Sequence, residues 1–185
     1  DNPIVWIDSA TVLPDSREEQ SDTDKSSRPY HEEFVGESFG RINKPEAELT
    51  LSALQQLFEK IGRARILEEN IDVGIISPYR AQVQYLRQLI KRREFYKPYR
   101  RLITVNTVDG FQGQERDIII ISLVRSNEQG QIGFLNDLRR MNVAITRARM
   151  KLIIIGDVAT LTRHRFYRRL YEYIEEAGKD FVCSV

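Results

Sequence analysis

Residues Ile118–Val124 read I-I-I-I-S-L-V. A run this long with so little polar alternation suits a strand covered on both faces, and such strands belong to parallel sheets flanked by helices. The same signal recurs on either side. Ile4-Val5-Trp6-Ile7-Asp8, the stretch from Asp72 to Pro78, Leu102-Ile103-Thr104-Val105-Asn106 and Leu152–Ile155 all read as short buried strands. Helical patterns lie between them. Asn43-Lys44-Pro45-Glu46 supplies a capping residue, a proline suited to the first turn and a glutamate at capping-box spacing. Ala47, Leu51, Leu54, Phe58 and Ile61 follow at amphipathic spacing. A second helix is predicted over about Arg80 to Arg93 and a last one over about Arg165 to Ala177. Strands alternating with helices give an α/β class, a doubly wound and mainly parallel sheet with helices on both faces.

The chain has 185 residues, enough for one domain spanning 1–185 with a real core. Its formal net charge is +1, so any polyanionic partner must be met by a local patch. Cys183 is the only cysteine, which excludes an internal disulfide and a cysteine-rich zinc site. His31 and His164 lie far apart without ligand-like spacing, so no metal site is expected on this chain. No apolar run approaches the ~18 residues of a membrane span. The polar stretch from about 15 to 29 reads as a solvated, mobile loop. The chain starts at Asp1 rather than Met and so reads as a fragment.

Four segments carry chemistry. From Arg139 to Arg149 the sequence is R-R-M-N-V-A-I-T-R-A-R, read here as a helix with four arginines. Leu138, Met141, Ile145 and Ala148 would share its core face, and Arg140 and Arg147, seven apart, would share another. A guanidinium is always charged and its donor fork suits phosphate oxygens. The same pattern also fits a solvated basic face, or arginines paired with nearby carboxylates. From Thr107 to Asp117 the sequence is T-V-D-G-F-Q-G-Q-E-R-D, joining two buried strands. Gly110 and Gly113 permit positive φ and close backbone approach, and Gln112, Gln114 and Glu115 offer polar groups. The segment follows the carboxyl end of a strand, where open α/β sheets bind ligands, although a tight turn with polar decoration reads equally well. The Ser77-Pro78-Tyr79-Arg80 turn stands at another carboxyl end and opens a helix whose amides favour anions. Last, K-R-R-E-F-Y-K-P-Y-R-R from Lys91 to Arg101 places six basic and three aromatic residues in eleven positions. It fits a nucleic-acid backbone with stacking bases, or a basic helix end and a polar loop. No G-x-x-x-x-G-K-[ST] occurs, so the phosphate cradle of a P-loop enzyme is absent from the chain.

The order S-P-Y-R-A-Q, T-V-D-G-F-Q-G-Q-E-R-D and I-G-F-L-N-D-L-R-R-M-N-V-A-I-T-R-A-R resembles motifs IV, V and VI of superfamily 1 helicases. The similarity is to the branch containing the nonsense-mediated-decay RNA helicase and related DNA helicases, and is strong from about Gly74 to Asp157. It implies the second RecA-like domain of a two-domain motor, a P-loop NTPase-type fold lacking the P-loop. In such a motor the first, N-terminal RecA-like domain of the same polypeptide carries the P-loop and a magnesium-binding acidic pair, and ATP sits between the domains. By the resemblance Arg147 is the arginine finger, with Arg140 supporting the same cleft. Glu115 contacts the nucleotide, with Gly113 near its γ-phosphate and Gln112 beside them. Thr107, Ser77, Tyr79 and Arg80 face single-stranded DNA or RNA. The family's Q-Y-R-x-H-P motif is missing, so the fragment is expected to be inactive alone. The resemblance implies an intracellular protein, cytoplasmic or else in a nucleoid or nucleus, that moves 5′ to 3′. The alternative is a RecA-like fold kept as a non-catalytic nucleic-acid or protein binding module.

Overall fold

The computed structural model describes residues 2–11, 32–36 and 40–182. The loop expected at about 15–29 lies outside the described residues. The elements in chain order are β1 (Ile4–Asp8), β2 (Glu33–Val35), β3 (Gly40–Ile42), α1 (Lys44–Ile61), α2 (Arg63–Glu68), β4 (Val73–Ile76), α3 (Arg80–Arg92), β5 (Ile103–Asn106), β6 (Arg116–Ser122), α4 (Leu138–Ile145), β7 (Ala148–Gly156), α5 (Val158–Leu161) and α6 (Arg165–Val182). A 3₁₀ segment over Glu94–Leu102 precedes β5, and a shorter one covers Val108–Phe111.

Five strands pair in the order β1-β7-β6-β4-β5, with every neighbouring pair parallel. The isoleucine run explains why the sheet needs two covers. Ile118 and Ile120 enter a core with Leu51, Leu54 and Phe58 of α1 and Val83 and Leu86 of α3. Ile119 and Ile121 enter a second core on the opposite face, with Met141, Ala144 and Tyr167. Alternation persists, but both faces are apolar. The result is the doubly wound α/β architecture expected of a RecA-like domain.

The start of α1 differs from a capping box in an informative way. Asn43 caps as expected, its side chain accepting from the Glu46 amide at 3.0 Å. The Glu46 carboxylate does not return to the Asn43 amide, which donates to Gln82 Oε1 instead. Glu46 is fully buried and turns toward β6, where Oε1 accepts from Ser122 Oγ at 2.7 Å and from the Val124 amide at 2.7 Å. Oε2 accepts from Ser9 Oγ at 3.2 Å. Asn43 Nδ2 donates to the Val124 carbonyl at 3.0 Å. Strand β6, expected to run to Val124, stops at Ser122 because Val124 leaves the extended region, at φ +70°. A β-branched residue there is strained by roughly 1–3 kcal/mol and persists only when its surroundings over-determine it. Both backbone groups of Val124 are held by the first turn of α1.

Burial outweighs these three donors and raises the Glu46 carboxyl to about 7. The folded chain therefore binds this proton more tightly than the unfolded chain, whose carboxyl titrates near 4.5. The stabilising contribution is complete below pH ~4.5 and is lost as pH rises through about 7, a change of about 3 kcal/mol. The neutral isostere Glu46→Gln removes this titration. The difference in unfolding free energy between wild type and Glu46→Gln, measured by denaturant melts from pH 4.5 to 8, is expected to move against wild type by that amount as pH rises. A pH-independent difference would contradict the assignment.

Candidate functional site

The structure divides the expected site residues between the two ends of the sheet. At the carboxyl end, a cavity of about 330 Å³ opens between the ends of β4 and β5 and the starts of α3 and α4. Buried Ile76, Ile121 and Leu123 belong to its apolar lining, and Tyr79, Arg80, Thr107 and Arg140 to its polar lining. Phe134, 60% exposed, stands against the Tyr79 ring at 5.5 Å between centroids. The Tyr79 hydroxyl in turn accepts from buried Arg125 at 3.5 Å.

Ser77 is fully buried, accepting from the Tyr79 amide at 3.5 Å, so its hydroxyl lies within the turn and does not line the cavity. Arg140, expected beside Arg147, instead lies in this carboxyl-end cavity. It pairs with Asp109 at 3.4 Å and Asp137 at 3.5 Å, both exposed contacts that salt weakens.

At the amino end stand the residues leading into β6 and β7. The expected helix through Arg149 ends at Ile145. Thr146 Oγ1 bonds the carbonyls of Asn142 and Val143 at 3.0 Å each, closing the last turn. The following residues are drawn into the sheet, where Arg116 pairs with Ala148 and the Arg116 amide donates to the Arg147 carbonyl at 2.9 Å. Strand pairing has overridden helical periodicity, so Arg140 and Arg147 share no helix face. Arg147 Nε is anchored to the Val143 carbonyl at 3.1 Å, and Nη2 reaches Thr146 Oγ1 at 3.4 Å. Among the described residues no carboxylate pairs with it. Backbone pairing places it alongside Arg116 and therefore next to Gly113–Glu115, where Gln112, Gly113 and Glu115 are all exposed. Arg149 behaves differently. It bridges Asp117 at 3.0 Å and Asp72 at 3.2 Å, and each aspartate accepts the other's amide. This clamp ties β4, β6 and β7 together beneath Arg147.

The T-V-D-G-F-Q-G-Q-E-R-D segment connects the two ends. It leaves the carboxyl end of β5 at Thr107, crosses β4 and enters the amino end of β6 at Arg116. Phe111 is the buried keel of this crossing, lying over Gly74, where an added Cβ would meet its Cε1 at 2.7 Å. The two glycines have separate causes. Gly113 has φ +72° with open space around it. At Gly110 a Cβ would lie 2.1 Å from Asn106 Nδ2, so the need is for close approach.

Sequence reasoning missed Arg125, only 2% exposed, which donates to Glu32 at 2.8 Å and braces Tyr79. An arginine ending an apolar strand is itself a signal that a carboxylate must be buried nearby. Its partner, 93 residues away, leaves no local trace. Gly133, at φ +53°, was missed with it, and a Cβ there would sit 2.2 Å from the Arg125 guanidinium.

A family model described as an AAA domain matches residues 1–159. The probable helicase MAGATAMA 3 of Arabidopsis thaliana is 38% identical over 149 residues, covering 80% of this chain and 18% of that protein. The regulator of nonsense transcripts 1 homolog of Drosophila melanogaster is 38% identical over 146 residues, covering 78% of this chain and 12% of that protein. An ATP-dependent helicase of Methanocaldococcus jannaschii is 40% identical over 151 residues, covering 80% and 20%. The chain thus spans a fifth or less of the length of these relatives.

The two glycines separate experimentally. Gly113→Asn, which tolerates the left-handed region, is expected to unfold near the wild-type midpoint, and Gly113→Ala to lose about 1 kcal/mol. Gly110→Ala, which must displace Asn106, is expected to lose more than Gly113→Ala. Equal losses at both positions by chemical denaturation would contradict the distinction.

Proposed function

The chain belongs to the superfamily 1 helicases, in the branch that includes the regulator of nonsense transcripts, and from that membership we propose that it is the second motor domain of an ATP-driven translocase on single-stranded DNA or RNA. The observation that carries this reading is Arg147. Its Nε is fixed to the end of α4, its guanidinium meets no carboxylate among the described residues, and strand pairing sets it beside the Gly113–Glu115 segment. A rigid cation without a counter-ion is suited to a phosphate supplied from outside. The chain has no phosphate loop of its own, so that phosphate belongs to ATP held with Mg²⁺ mainly by an N-terminal RecA-like domain of the same polypeptide.

On this reading the amino end of the sheet completes the ATP cleft. Arg147 neutralises charge developing on the transferring phosphoryl group, and Glu115, Gly113 and Gln112 position the nucleotide. The carboxyl end carries the strand, with Thr107, Tyr79 and Arg80 along the cavity and Arg140 exchanging its aspartates for a phosphate. The segment from Thr107 to Glu115 is one loop, so a shift at either end is transmitted around the Phe111 keel. Alone, the chain holds neither the nucleotide nor a closed cleft and is inactive. Among the described residues no helix is long and apolar enough to cross a membrane. A motor that spends ATP on nucleic acid works where both are held, so the place proposed for it is intracellular.

In the full-length protein, Arg147→Ala is expected to lower ATP turnover by about 10³-fold or more while single-strand affinity stays within about twofold. Turnover equal to wild type, measured at saturating nucleic acid, would refute the finger assignment.

A further inference from the structure

The basic stretch at Lys91–Arg101 is not used by either end of the sheet. Two of its three aromatic residues are not available for stacking: Tyr96 and Tyr99 are buried against α1, and the Tyr96 hydroxyl donates to the Leu51 carbonyl at 2.5 Å. Phe95 is half-buried against the same core. Its cations remain at the surface. Lys91, Arg100 and Arg101 are all exposed. A groove of about 350 Å³ runs along the free edge of β5, lined by Arg87, Lys91 and Arg100 with Ile90, Ile103, Thr104 and Val105, and it contains no carboxylate. Among the described residues none of Arg87, Lys91, Arg100 and Arg101 forms an ion pair. Their hydrogen bonds go to neutral acceptors: Arg87 donates to the Val105 carbonyl at 2.6 and 2.9 Å, Arg100 to the Lys91 carbonyl at 2.6 Å, and Arg101 to Asn70 Oδ1 at 3.4 Å.

The edge of the sheet is also obstructed for another strand at Val105. Arg87 occupies the outward carbonyl of Val105, which a β-strand partner would need. What remains is a line of cations beginning at Arg87 on the Val105 carbonyl, two residues before Thr107, and continuing past Lys91 and Arg100 to Arg101. Point charges of one sign along an edge whose ladder is interrupted suit a phosphate chain better than an added peptide strand. Building on the proposed single-strand surface at Thr107, the geometry points to a secondary track along the β5 edge for the sugar–phosphate backbone of the same strand, beyond the part held at the cavity. It reads no bases, so it serves DNA and RNA alike.

The test uses the full-length protein and homopolymeric DNA and RNA oligonucleotides of increasing length, with affinity measured across a salt series. In wild type, affinity continues to rise with length after the cavity-end footprint is filled. Lys91→Gln/Arg100→Gln/Arg101→Gln is expected to lose that additional rise and to lower the slope of log K against log salt by about 2, at ~0.7 per phosphate for single strands. Its binding of short oligonucleotides and its ATP turnover stay at wild-type levels. The charge-preserving Lys91→Arg/Arg100→Lys/Arg101→Lys restores length dependence and slope, separating charge from folding. A triple-glutamine protein with unchanged length dependence and slope would overturn the track alone. Failure of wild type to bind even short strands would instead remove the motor reading on which it rests.

Discussion

The first turn of α1 holds Val124 by both its backbone groups, and the geometry at the carboxyl end of the sheet depends on that grip. Glu46 takes the Val124 amide and Asn43 its carbonyl, which fixes a β-branched residue at positive φ. The strained turn redirects the chain from β6 so that Arg125 passes inward to Glu32 and beneath Tyr79. Gly133 yields space to the same guanidinium, and Phe134 then stands against Tyr79 at the cavity. A buried carboxylate with three donors is costly to place, and leaving its donors unmet would cost more. Losing this node would loosen Ser9, the end of β6 at Ser122 and the turn at Val124 together.

The amino end is built by a different device. Asp72 and Asp117 exchange amide hydrogen bonds, and Arg149 spans both, locking three adjacent strands. Arg147 and the Gly113–Glu115 segment rest on that platform. The two ends are therefore rigid in themselves and are joined by the parallel strands and by one crossing loop over Gly74. In the proposed motor this arrangement transmits nucleotide state to the strand through a short backbone path with a buried aromatic at its centre.

Much of this was legible in the sequence because both faces of the strands are apolar, which makes the isoleucine runs unmistakable. Asn43 as a cap was legible for an equally local reason. Where the reading failed, Ser77 apart, a distant partner had overridden a local pattern. The helix expected through Arg149 was cut at Ile145 by pairing with β6, moving Arg140 and Arg147 to opposite ends of the sheet. Glu46 left its capping box for Ser122 and Val124, which are more than seventy residues away. The aromatics of the basic stretch, open to either reading, went to the core because α1 offered Phe58 and Leu51 as neighbours. Ser77 was drawn inward by its own turn. Arg125 escaped notice because Glu32 precedes it by 93 positions.

The central claim is that this chain completes a nucleotide site but does not itself contain one. Calorimetric titration of the 185-residue chain with Mg²⁺–ATP tests it most directly. No heat of binding tighter than the millimolar range is predicted, whereas the full-length protein binds under the same conditions. Micromolar binding of ATP by the chain alone would contradict the account.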